Sequence, residues 1–296
     1  MRWPRFLRNG KNAPHGEAAT GKGAHQAFTP RFVLDANLLS DVGCTRTENE
    51  DSGRIVRDSM SDQSDRMLVV VADGMGGHNA GEIASATAIS VIEASYEKMR
   101  EEPAGQLKEA LENANATIHR KSIQDSETQG MGTTCTALLL QDGHAYSAHV
   151  GDSRIYLIRK KAIYLMTEDH SAVMRLVQLG QLSLQEARHH PDKNVVTRCL
   201  GTRPEVEISS WPEPLALQQG DHFLLCSDGL YDQVEDEEIR SIISSRRAAA
   251  ACQELVRLAK ERGAPDNVTV AVVGLLPIAS APKSCSPVTR QVEVIP

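Results

Sequence analysis

Leu68-Val69-Val70-Val71-Ala72-Asp73-Gly74-Met75-Gly76-Gly77-His78 is an apolar run that ends on an acid and then breaks into glycines. An unbroken apolar run of this length reads as a strand buried on both faces, and the Asp-Gly after it reads as a loop at the sheet edge. Gly74, Gly76 and Gly77 remove side chains where a ligand or ion needs close backbone approach. Taken alone, a strand ending in Asp-Gly is more often a plain turn. A dinucleotide fingerprint fails, because counting Gly-x-Gly-x-x-Gly from Gly74 puts Asn79 in the third place. The Lys-Ser/Thr of a nucleotide-triphosphate loop is missing too. An acid on a glycine-rich turn suits a hard cation better than a phosphate.

Outward from this strand the hydrophobic period changes twice. Ile83, Ala86, Ile89, Ile92, Tyr96 and Met99 recur at three- and four-residue steps and predict a helix opening after Gly81. Leu107, Ala110, Leu111, Ala114 and Ile118 predict a second, packed with it on one face of a sheet. Short β-rich runs follow at 133–141, 144–151, 153–159 and 162–166, the first two joined by Asp142-Gly143, and together they read as an antiparallel meander. A polar insertion comes next, with a helix over Ser171–Leu179 and a Ser183–Glu186 capping box. It ends near Pro191 and is placed to form a flap over a site. Strands are predicted at 195–200, 221–226 and 267–273, and helices at 239–243 and 250–259. This order indicates an α+β fold of antiparallel sheets covered by helices.

The chain has 296 residues, 41% of them hydrophobic, and a net charge of −7 with pI near 5.8. That is enough apolar material for a sizeable core, and the acidity argues against nucleic acid or an anionic membrane as the main partner. The six cysteines contain no Cys-x-x-Cys pair, which suggests neither a zinc site nor a disulfide framework and fits the cytoplasm. No apolar run approaches the roughly 18 residues of a membrane span, and the start lacks an apolar signal core. Residues 1–32 read as a disordered basic tail, or alternatively as an arm for an acidic partner or membrane surface. Residues 33–276 read as one domain. Residues 277–296 read as a tail bearing proline and serine, in which Val292–Ile295 can dock as a strand.

Acids recur at the mouths of the strands. Glu50-Asp51 stand where a polar turn meets the next segment, Asp73 follows the central run, Asp152 interrupts two strands, Asp228 follows a buried strand and Asp266 opens the last. Each alone is a turn residue. Gathered in space they repel one another strongly, and cations relieve that repulsion. Oxygen ligands of this kind suit Mg²⁺ or Mn²⁺, and no Cys/His set supports zinc.

Six blocks now carry a resemblance: Arg46-Thr47-Glu48-Asn49-Glu50-Asp51, Val71 to His78, Gly132-Thr133-Thr134, His149-Val150-Gly151-Asp152-Ser153-Arg154, Cys226-Ser227-Asp228-Gly229-Leu230 and Asp266-Asn267-Val268-Thr269. In their order, over about residues 33–276, the chain resembles the metal-dependent protein phosphatases of the 2C type in their bacterial form. Any one block is weak, but the ordered set is highly specific.

The resemblance implies a four-layer α-β-β-α sandwich with a metal centre at one end of its sheets. It implies hydrolysis of phosphoserine and phosphothreonine by a hydroxide bridging two Mn²⁺ or Mg²⁺ ions. By position Asp73 bridges the two, Asp228 and Asp266 complete one, and the Gly74 carbonyl binds the other. Glu50 and Asp51 hold metal-bound waters, and Asp152 with Asp228 provides a looser third site. Arg46 grips the substrate phosphate with a planar fork that lysine lacks; the alternative for Arg46 is a surface pair with Glu48. Phosphorylated proteins are the implied partners, with a serine/threonine kinase as counterpart.

One position departs from the pattern. Eukaryotic members carry a histidine after the Asp-Gly as proposed acid for the leaving group, and here that residue is Met75, which has no proton to give. A metal-bound water is the preferred acid, with His78 and His170 as alternatives, and His149 reads as a packed core residue. Two rival readings stay open: a catalytically silent phosphoprotein-binding module, and a phosphatase dedicated to one partner-switching regulator.

Overall fold

The structure is a computed structural model that describes residues 32–58, 66–76 and 80–278. The basic tail through Arg31, residues 279–296 with the proposed docking strand, and His78 lie outside these. Twelve described strands make two antiparallel sheets. The first has the order β1 (Val33–Asp41), β12 (Val268–Leu276), β11 (His222–Cys226), β7 (Arg154–Arg159), β8 (Ala162–Leu165). The second runs β10 (Leu215–Ala216), β6 (His144–Val150), β5 (Cys135–Gln141), β3 (Met67–Met75), β2 (Asp51–Arg57), with β4 (Gly132–Thr133) on β3 and β9 (Ser209–Ser210) on β6.

β3 is the quoted stretch, and its unbroken apolar run has a direct cause. Val69 and Val71 point between the sheets, against Ile155, Leu157, Phe223, Leu225, Ala271 and Val273. Leu68, Val70 and Ala72 point the other way, onto helices α1 (Ala80–Ala94) and α2 (Pro103–Gln124). Each fully buried valine contributes about 1.5–3 kcal/mol relative to exposure, so both faces of this strand are committed. The five-stranded sheet is covered on its outer face by α6 (Asp236–Ser245) and α7 (Ala248–Glu261). Four layers result, α-β-β-α, as the resemblance implied.

Several sequence expectations are corrected. β1 and β2 carry no strand signal strong enough to be assigned, because both are edge strands whose polar residues, such as Asn37 and Arg54, do not alternate cleanly. The four β runs do not form one meander. β5 and β6 are a hairpin of the second sheet through Asp142 (φ 50°) and Gly143 (φ 72°), whereas β7 and β8 are a hairpin of the first. The chain changes sheets at Gly151-Asp152-Ser153. Residues 195–200 are not a strand and make isolated bridges only at Val196 and Leu200. Ile83, assigned to the buried face of α1, is 40% exposed. The insertion holds α3 (Ala172–Gln178), capped by Ser171, and α4 (Leu184–Arg188), whose Ser183–Glu186 capping box is present.

Candidate metal centre

The acids meet at one end of the sandwich, and each arrives on a different element. β2 opens on Asp51, which is in register with Asp73 of β3. β3 does not stop at that acid but continues through Met75 by pairing with β4. Thr134 interrupts the run 133–141 for a reason: its hydroxyl accepts from Asp73 N (2.9 Å) while its own N–H donates to Asp73 O (2.8 Å). Asp73 is thereby pinned through its backbone. From the other sheet, β11 ends at Cys226, and the next residue, Ser227, is the N-cap of the short helix α5 (Asp228–Tyr231), on which Asp228 is the first residue.

Ser227 joins the sheets. Its hydroxyl donates to Asp51 Oδ2 at 2.7 Å and accepts from Thr269 N at 3.0 Å. Asn267 does the same for the loop before β2. Its Oδ1 accepts from Glu50 N at 2.8 Å, and its Nδ2 donates to the carbonyls of Val42 and Glu48. Gly74 N donates to Glu50 O at 3.1 Å, and a Cβ on Gly74 would overlap the backbone of Gly81. Only glycine lets β3, the 42–50 loop and α1 approach so closely.

The acids bear on one another electrostatically. The Asp73 carboxyl lies well above its usual range because it is buried and because Asp51, Asp228, Asp152 and Asp266 surround it with like charge. Asp228 is raised for the same reasons, chiefly burial and then Asp152. Burial pushes Asp51 up to about 6 despite its hydrogen bond from Ser227. Asp152 rises to about 7, through burial and then Asp169. Glu50 is raised more modestly, by burial opposed by Arg46.

Among the described residues no three His, Cys, Asp or Glu side chains form a ready-made ion cage. Protein donors engage two of the acids, Asp51 through Ser227 and Asp266 through Arg46. The donor set nevertheless fits a hard divalent ion. Asp51 Oδ1 and Asp228 Oδ1 are buried without any hydrogen-bond partner, a costly state that an oxygen-seeking cation relieves. Asp51 comes from one sheet and Asp228 lies just past the end of the other.

Arg46 is half exposed, and its Nη2 donates to Asp266 Oδ2 at 2.9 Å, so its acidic partner is Asp266. Asp152 occupies the sheet-to-sheet crossing, where Tyr231 Oη donates to its carbonyl at 3.2 Å. Arg154 stacks on Tyr231 and donates to Asp169 beneath it. His149 is buried and stacks on His170 with centroids 4.7 Å apart. His170 has both ring nitrogens engaged, by Gly151 N and Ser209 Oγ, and burial with the neighbouring His149 and Arg198 pushes it down to about 3. It is a poor general acid.

All eight sequence-assigned residues, Arg46, Glu50, Asp51, Asp73, Gly74, Asp152, Asp228 and Asp266, thus stand at one end of the sheets. Sequence reasoning gave no role to Thr134, Ser227 or Asn267, which position them. Their signal was adjacency, since each sits beside an assigned acid or inside a quoted block.

A sandwich that gathers buried carboxylates from both sheets, two of them with orphaned oxygens, defines a divalent-metal-dependent hydrolase. The model of the Protein phosphatase 2C family matches residues 46–269, and the chain belongs to that family. It is similar to Protein phosphatase PhpP of Streptococcus pneumoniae, 38% identical over 247 residues that cover 82% of this chain and 98% of the relative. The crystal structure of the Mycobacterium tuberculosis serine/threonine phosphatase PstP/Ppp superposes with a TM-score of 0.75 at 35% identity, covering 82% of this chain and 99% of that one. The PstP catalytic domain in complex with 2 manganese ions gives 0.73 at 34% identity over 83% of this chain and 99% of that one.

Proposed function

We propose that the chain is a metal-dependent protein phosphatase that hydrolyses phosphoserine and phosphothreonine in proteins with Mn²⁺ or Mg²⁺. The observation that carries this reading is the pair of buried, partnerless oxygens on Asp51 and Asp228, set among acids whose carboxyls all rise. Asp73, Asp228, Asp266 and the Gly74 carbonyl would hold two ions directly. Glu50 and Asp51 would act through ordered water, and Asp152 with Asp228 would hold a third ion. When bound, the ions supply charge that makes water acidic enough to attack and that neutralises the phosphoryl oxygens.

The chain's own residues do the rest. Thr134, Ser227 and Asn267 fix the carboxylates, so little reorganisation is needed at the moment of reaction. Arg46, on an exposed loop, offers two parallel N–H groups to the phosphoryl oxygens. Met75 has no proton to donate and His170 is committed, which leaves water as the preferred acid for the departing serine or threonine oxygen, with His78, outside the described residues, as the alternative.

A serine/threonine kinase acting on the same proteins is the counterpart. A reducing, cytoplasmic setting is supported by the five cysteines among the described residues, all of them free. Among the described residues no helix is long and apolar enough to cross a membrane. Retention of every acid and of Arg46 disfavours a silent binding module. The test is hydrolysis of an aryl phosphate and of phosphothreonine and phosphotyrosine peptides with Mn²⁺ and then with chelator. Turnover of phosphothreonine that chelator abolishes supports the reading, and turnover that chelator leaves intact sinks it.

A further inference from the structure

Asn49 and Thr269 lie inside the blocks that carry the acids, yet neither has a part in the proposed chemistry, and Ser40 lies in no block at all. The fold joins all three behind Asp51. Ser40 of β1 and Thr269 of β12 stand opposite each other in the ladder, with their buried hydroxyls 2.7 Å apart. Asn49 Nδ2 donates to Ser40 Oγ at 2.9 Å, while Asn49 Oδ1 accepts from Asp51 N at 3.1 Å. Thr269 N donates to Ser227 Oγ, whose own proton goes to Asp51 Oδ2. The Ser227 and Thr269 hydroxyls are the two side-chain donors that draw the Asp51 carboxyl down against its burial.

The protons available give this chain of bonds a direction. A backbone N–H can only donate, so the atom facing Asp51 N is the Asn49 oxygen and the atom facing Ser40 is the Asn49 nitrogen. Ser40 Oγ therefore accepts from Asn49. Were it to accept from Thr269 as well, its own proton would be buried without an acceptor, because Ser40 Oγ has no third partner among the described residues; a buried donor left unmade is costly. Ser40 thus donates to Thr269 Oγ1, and the Thr269 proton passes on to the carboxylate. Donors run one way, from Asn49 through Ser40 and Thr269 to Asp51. Asp51 Oδ1 is buried without a protein partner, so both hydroxyls serve Oδ2.

We propose that Ser40 and Thr269, oriented by Asn49, are positioning residues that hold the Asp51 carboxylate by Oδ2 and leave Oδ1 for the metal centre, so that β1 shapes ion binding without supplying a ligand. This rests on the assignment of Asp51 to the ordered water of the ions. A hydroxyl pair that only packed β1 on β12 would depend on volume, whereas a relay depends on the hydroxyls. The two demands separate at Thr269. Valine keeps the shape and removes the hydroxyl; serine keeps the hydroxyl and removes the methyl.

The experiment uses the full chain as wild type, Ser40→Ala, Thr269→Val, Thr269→Ser, the Ser40→Ala/Thr269→Val double variant and Asp51→Asn. Mn²⁺ affinity is measured by calorimetry, and urea unfolding in chelator confirms that each protein is folded. Ser40→Ala and Thr269→Val are expected to weaken Mn²⁺ binding by about threefold to tenfold, the range that one hydrogen bond spans, while Thr269→Ser stays near wild type. The double variant is expected to bind no more weakly than Thr269→Val alone, because two links in series fail together. Wild-type affinity in folded Ser40→Ala or Thr269→Val, with Asp51→Asn weakened, overturns this proposal alone. So does a loss in Thr269→Ser equal to that in Thr269→Val, which assigns packing, or a double variant whose losses add. Unchanged Mn²⁺ affinity in Asp51→Asn overturns the assignment of Asp51 and the proposal with it. Should either Ser40→Ala or Thr269→Val not fold, the other decides by the same comparison with Asp51→Asn.

Discussion

Asp51 and Asp73 stand directly opposite each other across β2 and β3, two acids in one rung of an antiparallel ladder. Like charges so placed destabilise a sheet, and Asp51 is foremost among the charges that raise the Asp73 carboxyl. Such a pair works against the metal-free fold and in favour of a bound cation. Asp73→Asn, and equally Asp228→Asn, is expected to lower turnover by more than about a hundredfold, beyond the loss typical of residues that only orient a metal ligand. The metal-free melting temperature is expected to hold or rise, because a buried charge is removed. Activity near wild type in either variant, measured on phosphothreonine peptide, refutes the metal assignment.

The raised carboxyls give metal binding a sign with pH. Asp51 titrates near 6 and Asp152 near 7, with Asp73 and Asp228 also raised, so the metal-free fold holds protons that the unfolded chain releases near 3.8. Stability from these groups falls as pH rises through that window. His149, His170 and His222, held below their usual 6.5, pull the other way while the unfolded chain's histidines titrate. In chelator, stability is therefore expected to decline between pH 6.5 and 8, where the raised carboxyls still release protons while the unfolded chain's histidines are past their midpoint. Mn²⁺ should reverse the decline and release protons as it binds. Urea midpoints at pH 6.5 and 8, with and without Mn²⁺, check the first. Calorimetry at pH 6.5 in buffers of different ionisation enthalpy checks the second, and Mn²⁺ binding without proton release counts against raised ligand carboxyls.

Arg46 separates substrate binding from stability. Its pair with Asp266 is half exposed, and such pairs contribute about 0–1 kcal/mol, so Arg46→Ala should scarcely move the melting temperature. KM for a small phosphoester is expected to rise about tenfold with a smaller change in kcat, since a charge-assisted bond is worth about 1.5–3 kcal/mol. Arg46→Lys should recover only part of the loss, because an ammonium lacks the planar fork. An unchanged KM in Arg46→Ala removes the phosphate role.

The layers were legible because their cores are periodic. Val69 and Val71 on one face of β3, with Leu68 and Val70 on the other, announce a strand buried on both sides, and Leu107 to Ile118 announce a helix with one apolar face. β1 and β2 were not legible, since an edge strand satisfies only part of its backbone and tolerates Asp35, Asn37 or Arg54. Nor was the sheet change at Gly151, because two hairpins in series carry the same local pattern whether they share a sheet or not. At the centre the acids stood out by repetition, but Thr134 and Asn267 did not. Their work is done through hydrogen bonds to residues 61 positions away in sequence for Thr134 and 217 for Asn267, which reaches back to Glu50, and no short-range pattern encodes that.

Gly74 offers a test that separates packing from charge. The residue follows Asp73 in β3, pairs with Thr133 of β4 and donates to Glu50 O, so its backbone is held on both sides. A Cβ there would overlap the Gly81 carbonyl at the start of α1 and crowd the Glu50 carbonyl. Backbone cannot move aside as a flexible side chain can, so Gly74→Ala should force the 42–50 loop, β3 and α1 apart at a cost of about 1–3 kcal/mol. Because Glu50 and Asp73 ride on two of those elements, Mn²⁺ affinity should fall with stability although no carboxylate is altered. Gly180→Ala is the control, at a positive-φ turn where a Cβ meets nothing within 4 Å; there a modest loss of stability with unchanged Mn²⁺ affinity is expected. Equal effects of the two substitutions on Mn²⁺ binding would show that the close approach at Gly74 does not shape the metal centre.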